Sequence, residues 1–219
     1  MTNTITPVMA EKVSTALNAR MNSDFTQVKD SLIIRPLKND PKDLKDIVHM
    51  VHGDIALVLY QLLALNDENI MTSRIHTDEL QDWHQDPEQL MQNALVQTAE
   101  RFPASMLDYK SNLGISPFQK GLTKEEILNG HAFVMLSNDR GTNGALSLFY
   151  PGIRERFLSL FNGPFHAVFM NTTDVMLFPE GTDRSLLEHF RQVGMEPGPF
   201  GEPLSDHIWI CDENGIRPE

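Results

Sequence analysis

Gly53-Asp54-Ile55-Ala56-Leu57-Val58-Leu59-Tyr60-Gln61-Leu62-Leu63-Ala64-Leu65 contains the longest apolar run of the chain, and the fold turns on whether that run is strand or helix. Gln61 interrupts it, and Asp54 and Asn66 flank it. It is far shorter than the roughly 20 residues a membrane helix needs, so no membrane span is expected. Just upstream, Asp40-Pro41 resembles a helix cap with proline in the first turn, and Leu44, Ile47, Val48 and Val51 share one helical face. One reading ends that helix at Gly53 and makes Ile55 to Leu63 a buried strand. The rival is a single helix from Pro41 to Leu65, because Ile55, Val58, Leu59 and Leu62 keep the same period. Gly53 and the β-branched content favour the strand.

Outward from this run the elements come in pairs. Ile70 to His76 reads as a second strand, joined to the first across an Asn66–Asn69 turn. Upstream, Met9, Val13, Ala16, Leu17 and Met21 recur at helical spacing, predicting an amphipathic helix over Pro7 to Met21. Leu32, Ile33, Ile34 and Leu37 mark a strand. Downstream, Thr77 caps a short helix, and Asp86-Pro87-Glu88-Gln89 opens a longer one that stops before Pro103. Ser105 to Lys120 reads as a loop, and Thr123 to Glu126 as a capping box for a short helix closed by Gly130. Ala132 to Leu136 and Ala145 to Tyr150 read as a strand and its return across the Asn138–Gly144 turn. A helix then runs from Pro151 to Phe161. Strands follow over Phe165 to Met170 and Val175 to Phe178. Thr182 or Asp183 caps a helix that Gly194 ends, and His207 to Cys211 is a last strand. Paired strands interleaved with helices predict an α+β fold: a mixed or antiparallel sheet with helices packed on it. The expected division is an N-terminal helix and linker over residues 1–30, then a single α+β domain over residues 31–219.

Composition narrows the function classes. The 219 residues carry 30 acidic and 18 basic side chains, a formal charge of -12, and 41% hydrophobic residues, too apolar for a disordered chain. A single cysteine, Cys211, excludes an internal disulfide framework and a Cys-based zinc site. The acidic balance argues against gripping nucleic-acid phosphates directly. Met1 to Lys12 lacks a basic cluster followed by an apolar stretch, so the chain is read as cytoplasmic.

Several short stretches together resemble a known family. They are Gly53 to Val58; Ile75 with Leu80 to Trp83; Ala94 to Thr98 with Phe102-Pro103; Asn138 with Gly144-Ala145; Tyr150-Pro151; and Leu204-Ser205-Asp206. In order and spacing they are similar to an uncharacterised bacterial family known only as a domain of unknown function, over about Arg35 to Gly215. Family members often carry Pro-Ser-Ser-x-His-Glu where this chain has Met170-Asn171-Thr172-Thr173-Asp174-Val175, so that His and Glu are missing. The resemblance implies genes carried on mobile elements beside anti-defence functions.

Chemistry-bearing spacings are sparse. His49-x-x-His52-x-Asp54 is the metal candidate: on a helix, histidines three apart face one way and a nearby carboxylate completes the set. Its bland counterpart is two histidines on the polar side of a helix end, where the dipole suits a cation. His76 and His84 read as solvated partners of neighbouring acids. No nucleophile elbow or phosphate-binding glycine loop occurs, and Cys211 reads as a buried, inert thiol. No catalytic residue, resident metal or cofactor is assigned.

Charge is unevenly spread. Between Asn66 and Glu100, Asp67, Glu68, Asp78, Glu79, Asp82, Asp86, Glu88 and Glu100 face only Arg74. A second acidic stretch runs from Glu196 to Glu219 with only Arg217 as counterweight. Asp78 and Asp82 lie one helical turn apart, with Cβ atoms about 5–6 Å from each other. The reading is therefore a non-catalytic acidic protein that binds a basic protein partner, with Asp67, Glu68, Asp78, Glu79, Asp82, Asp86 and Glu88 as the contact face. The resemblance extends this to inhibition of a nucleic-acid-handling defence enzyme. The alternative is a small metal-dependent hydrolase using His49, His52 and Asp54.

Overall fold

The computed structural model describes residues 7–22, 24–66, 70–107, 114–115, 133–196 and 202–219. Its described elements give an α+β fold with two antiparallel-type sheets. By compactness the chain divides into two units, one of Met1–Arg35, Pro41–Met50 and Val58–Thr98, the other of Pro36–Asp40, Val51–Leu57 and Ala99–Glu219.

The central run is a strand. β1 (Leu32–Lys38), β2 (His49–His52), β3 (Ile55–Leu65) and β4 (Ile70–Arg74) form a four-stranded sheet in which β3 pairs with all three others. β3 is buried on both sides: Ile55 to Leu62 are all covered, Gln61 being the one polar side chain among them. β4 returns antiparallel, from Leu65↔Ile70 to Tyr60↔Arg74, with a register shift between Leu62 and Ala64.

The helix expected from Pro41 to Gly53 does not form. Leu44, Ile47 and Val48 are buried as the spacing implied, but turns and then β2 bury them. Asp46 has a left-handed φ of 58°, which breaks a right-handed helix. Val48 instead donates its N–H to Ile75 O (2.9 Å) and accepts the N–H of Leu59 (2.9 Å), so its peptide groups are used in the sheet. Gly53, with φ 55°, and Asp54 make the tight β2–β3 turn, where a positive φ suits glycine.

α1 (Pro7–Met21) matches the predicted span and buries Met9 and Ala19. A short α2 (Phe25–Val28) follows, capped by the Asp24 carboxylate. α3 (Thr77–Trp83) starts with His76, not Thr77, as its N-cap, and His84 ends it with a left-handed φ of 53°. α4 (Pro87–Arg101) is capped as predicted: Asp86 Oδ1 accepts the Gln89 N–H at 2.8 Å. Within the first unit, Thr98 Oγ1 on α4 accepts the Ile34 N–H at 2.9 Å, which fastens helix to strand.

The second unit is built on a seven-stranded antiparallel sheet. Its strands are β5 (Ala104–Leu107), β6 (Gly114–Ile115), β7 (Val134–Asn138), β8 (Phe165–Phe169), β9 (Val175–Pro179), β10 (Ile208–Asp212) and β11 (Gly215–Pro218). They are ordered β11-β10-β8-β9-β7-β5-β6. α5 (Ile153–Phe161) packs on one face through Phe157 against Phe165, and α6 (Arg184–Met195) on the other through Leu187 with Val168, Met176 and Ile208.

Three expectations change here. Residues 105–107 and 114–115 belong to strands within the supposed Ser105 to Lys120 loop, while the capping box at Thr123 to Glu126 lies outside the described residues. Ala145 to Tyr150 is not a returning strand but a 3-10 segment, Gly144–Phe149. Both edges of β7 are already taken, by β5 and β9, and Gly144 to Leu148 are uniformly buried with none of a strand's alternation. Gly194 does not end α6; it is buried inside the last turn, where a Cβ would lie 3.1 Å from Met170 Cα.

Gly53 is tightly held: an added Cβ would lie 2.8 Å from Pro218 Cγ and 3.2 Å from Trp209 Cη2, on a left-handed backbone. Gly53→Ala is expected to destabilise the fold by about 2 kcal/mol, read as a lower urea midpoint of cooperative unfolding. An unchanged midpoint would contradict this packing.

Candidate functional site

The β2–β3 turn places Asp54 beside the residues that lead into β10. Ser205 Oγ donates to Asp54 Oδ1 at 2.8 Å, and the Asp206 N–H donates to Asp54 Oδ2 at 3.0 Å. Ser205 is itself fixed, accepting the Trp209 Nε1–H at 2.7 Å and the His207 N–H at 3.2 Å. Trp209 is fully buried, so this chain of bonds ties a half-buried carboxylate to the core. Asp206 and His207 point outward, with Asp206 Oδ1 3.3 Å from His207 Nε2. Among the described residues, Asp54, Asp206 and His207 are the three His, Cys, Asp or Glu side chains that converge, their donor atoms within 4.8 Å of one another. The Asp206 carboxyl is held below its ordinary value, first by its hydrogen bond with Asp54 and then by the nearby charges of His207 and Lys38, against the opposing effect of desolvation.

His49 and His52 do not join Asp54 in the way the sequence suggested. They lie on a strand, where residues three apart point to opposite faces. His49 Nδ1 lies 2.8 Å from Ile47 O. The His52 ring packs against Phe149, centroids 5.2 Å apart, and burial pushes its pKa down. The shared helix face on which a His49–His52 metal pair rested is therefore absent. Asp54 finds its partners about 150 positions downstream instead. Sequence reading singled out Gly53-Asp54 and Leu204-Ser205-Asp206 separately, but no spacing rule joins segments so far apart.

The acidic residues separate into two kinds. Asp67 and Glu68 lie outside the described residues. Glu79 is turned inward: Arg20 of α1 grips its carboxylate with two nitrogens and also donates to Ser73 Oγ (2.8 Å) and Arg74 O (2.5 Å). The ion-paired side chains are only 12% and 20% exposed, so Glu79 joins α3 to α1 and β4. Asp78, Asp82, Asp86 and Glu88 are exposed. Asp78 accepts the Glu79 N–H (2.9 Å), and Glu88 lies 3.5 Å from Gln92 Nε2. No lysine or arginine occurs between His76 and Glu100.

In the second acidic stretch, Asp212 and Glu219 pair with arginines, while Glu196, Glu202 and Glu213 are exposed. Arg217 donates to both oxygens of Asp212 (2.8 and 2.6 Å), holding that carboxyl well below the usual carboxylate range. Glu219 pairs with Arg184, and its Oε1 lies 3.0 Å from His166 Nδ1. Cys211 on β10 is fully buried, and burial pushes its thiol up to about 12, which leaves negligible thiolate at neutral pH.

The chain belongs to a family of unknown function, DUF5688, whose model matches residues 1–210. No curated protein and no solved structure matches it. Among the described residues no helix is long and apolar enough to cross a membrane.

The two kinds of acid are expected to respond differently to neutralisation. Glu79→Gln strands a largely buried guanidinium and should cost about 1–3 kcal/mol, whereas Glu88→Gln should stay within about 0.5 kcal/mol; chemical denaturation of both variants checks this. Cys211 should resist a thiol-specific reagent in the native protein and react promptly once denaturant unfolds it; rapid native labelling would contradict its burial.

Proposed function

We propose that this member of a family of unknown function is a non-catalytic binding protein whose exposed acids on α3 and the start of α4 engage a basic surface on a protein partner. The observation that carries the reading is the set of four outward carboxylates, Asp78, Asp82, Asp86 and Glu88, in a stretch without lysine or arginine. Their helices are held from behind: Leu80, Trp83, Leu90 and Met91 are buried, and Arg20 bonds Glu79. A partner would thus meet carboxylates on a fixed backbone and would not have to order them. Opposed charge of this kind raises association rates and selects partners by sign.

The partner class follows from the same chemistry. A surface rich in lysine and arginine that ordinarily holds phosphates also accepts spaced carboxylates, so an enzyme that handles nucleic acid is a fitting target. Inhibition of such an enzyme in a defence system, by a protein encoded on a mobile element, agrees with the family resemblance. The inward Glu79 takes no part in this contact.

The test compares the wild-type chain with a variant carrying Asp78→Asn, Asp82→Asn, Asp86→Asn and Glu88→Gln in pull-downs at low and high salt. A basic protein recovered by the wild type, lost with the variant and lost at high salt supports the proposal. Equal recovery by both proteins, or no recovery at low salt, ends it.

A further inference from the structure

We infer that Asp54, Asp206 and His207 form a binding site for a divalent transition-metal cation of the Mn2+ or Zn2+ class. The site is separate from the acidic helices and independent of the proposed partner. Two carboxylates and an imidazole offer donor atoms within 4.8 Å of one another, and they come from two segments that the fold brings together. The imidazole distinguishes this set from a bare group of surface acids. Mg2+ and Ca2+ favour all-oxygen sites, whereas a nitrogen donor beside carboxylates suits Mn2+ or Zn2+.

The donors are also held for the task. Ser205 Oγ and the Asp206 N–H each occupy one lone pair of Asp54, on different oxygens (2.8 and 3.0 Å), and leave the others available. Ser205 is oriented by the buried Trp209 indole at 2.7 Å, an outer shell of the kind that aims a ligating carboxylate. Asp206 and His207 are exposed, so water would complete the coordination sphere.

The experiment uses the full chain and two probes. Substoichiometric MnCl2 in amide NMR spectra is expected to broaden Gly53, Asp54 and Ser205 to His207 first; broadening that begins instead at Asp78 to Glu88 overturns the site. Calorimetric titration with ZnCl2 is expected to show one saturable event that His207→Ala removes, and that Ser205→Ala weakens by about tenfold. His207 is chosen because its exposed ring does not hold the turn, whereas loss of Asp54 risks the fold. The chain has eight histidines, so Zn2+ binding that His207→Ala leaves unchanged places the metal elsewhere and refutes the inference. No saturable binding by the wild type refutes it equally. Either failure leaves the acidic-face proposal untouched, since none of its residues is involved.

Discussion

A strand buried on both sides must find partners for all its peptide groups, because an unpaired N–H or C=O in an apolar interior is costly. β3 meets this demand with β1, β2 and β4 as neighbours. The pairing accounts for the features around it. Chain with helical spacing from Pro41 onward forms turns and then β2, the reversal into β3 is a tight turn, and Gly53 supplies the backbone that turn requires. Asp54, next in line, then lies where Ser205 and Asp206 can bond it. The placement of one carboxylate thus follows from the hydrogen-bonding needs of an apolar strand.

The acids show how burial decides what a charge can do. Glu79 is mostly covered and would be costly there without a guanidinium, so its charge is committed to holding α3 against α1. Asp212 and Glu219 pair on the surface, where such contacts contribute little stability but reduce the local field. Asp78 and Asp82 on α3, and Asp86 and Glu88 at the start of α4, are exposed, where net charge is cheap to keep. Net charge read from sequence therefore does not separate Glu79, Asp212 and Glu219, which are ion-paired, from the exposed acids.

Legibility from sequence followed the range of the forces involved. α1, β3, α4 and α5 were readable because their periodicity, caps and terminators are local; Asp86 before Pro87 and Asn162-Gly163-Pro164 after Phe161 are examples. The errors have a common origin in tertiary competition. Leu44, Ile47 and Val48 bear helical spacing but are buried by a sheet, and Ala145 to Tyr150 has strand-like composition but no free strand edge beside it. The candidate site shows the same division. Asp54 was identifiable as a possible ligand, but His207 was not, because the contact that brings them together spans most of the chain. The outward direction of Asp78 and Asp82 was implied by their helical spacing, whereas the inward turn of Glu79 depended on Arg20, which only the fold reveals.

β11 closes one end of the seven-stranded sheet, and it carries Arg217 and Pro218 opposite Ile210 and Trp209. Proline has no amide hydrogen to offer a newcomer. A second molecule seeking to extend the sheet there would meet a gap in its ladder at Pro218. The same proline that interrupts the ladder at this edge is the wall against which the Gly53 turn packs.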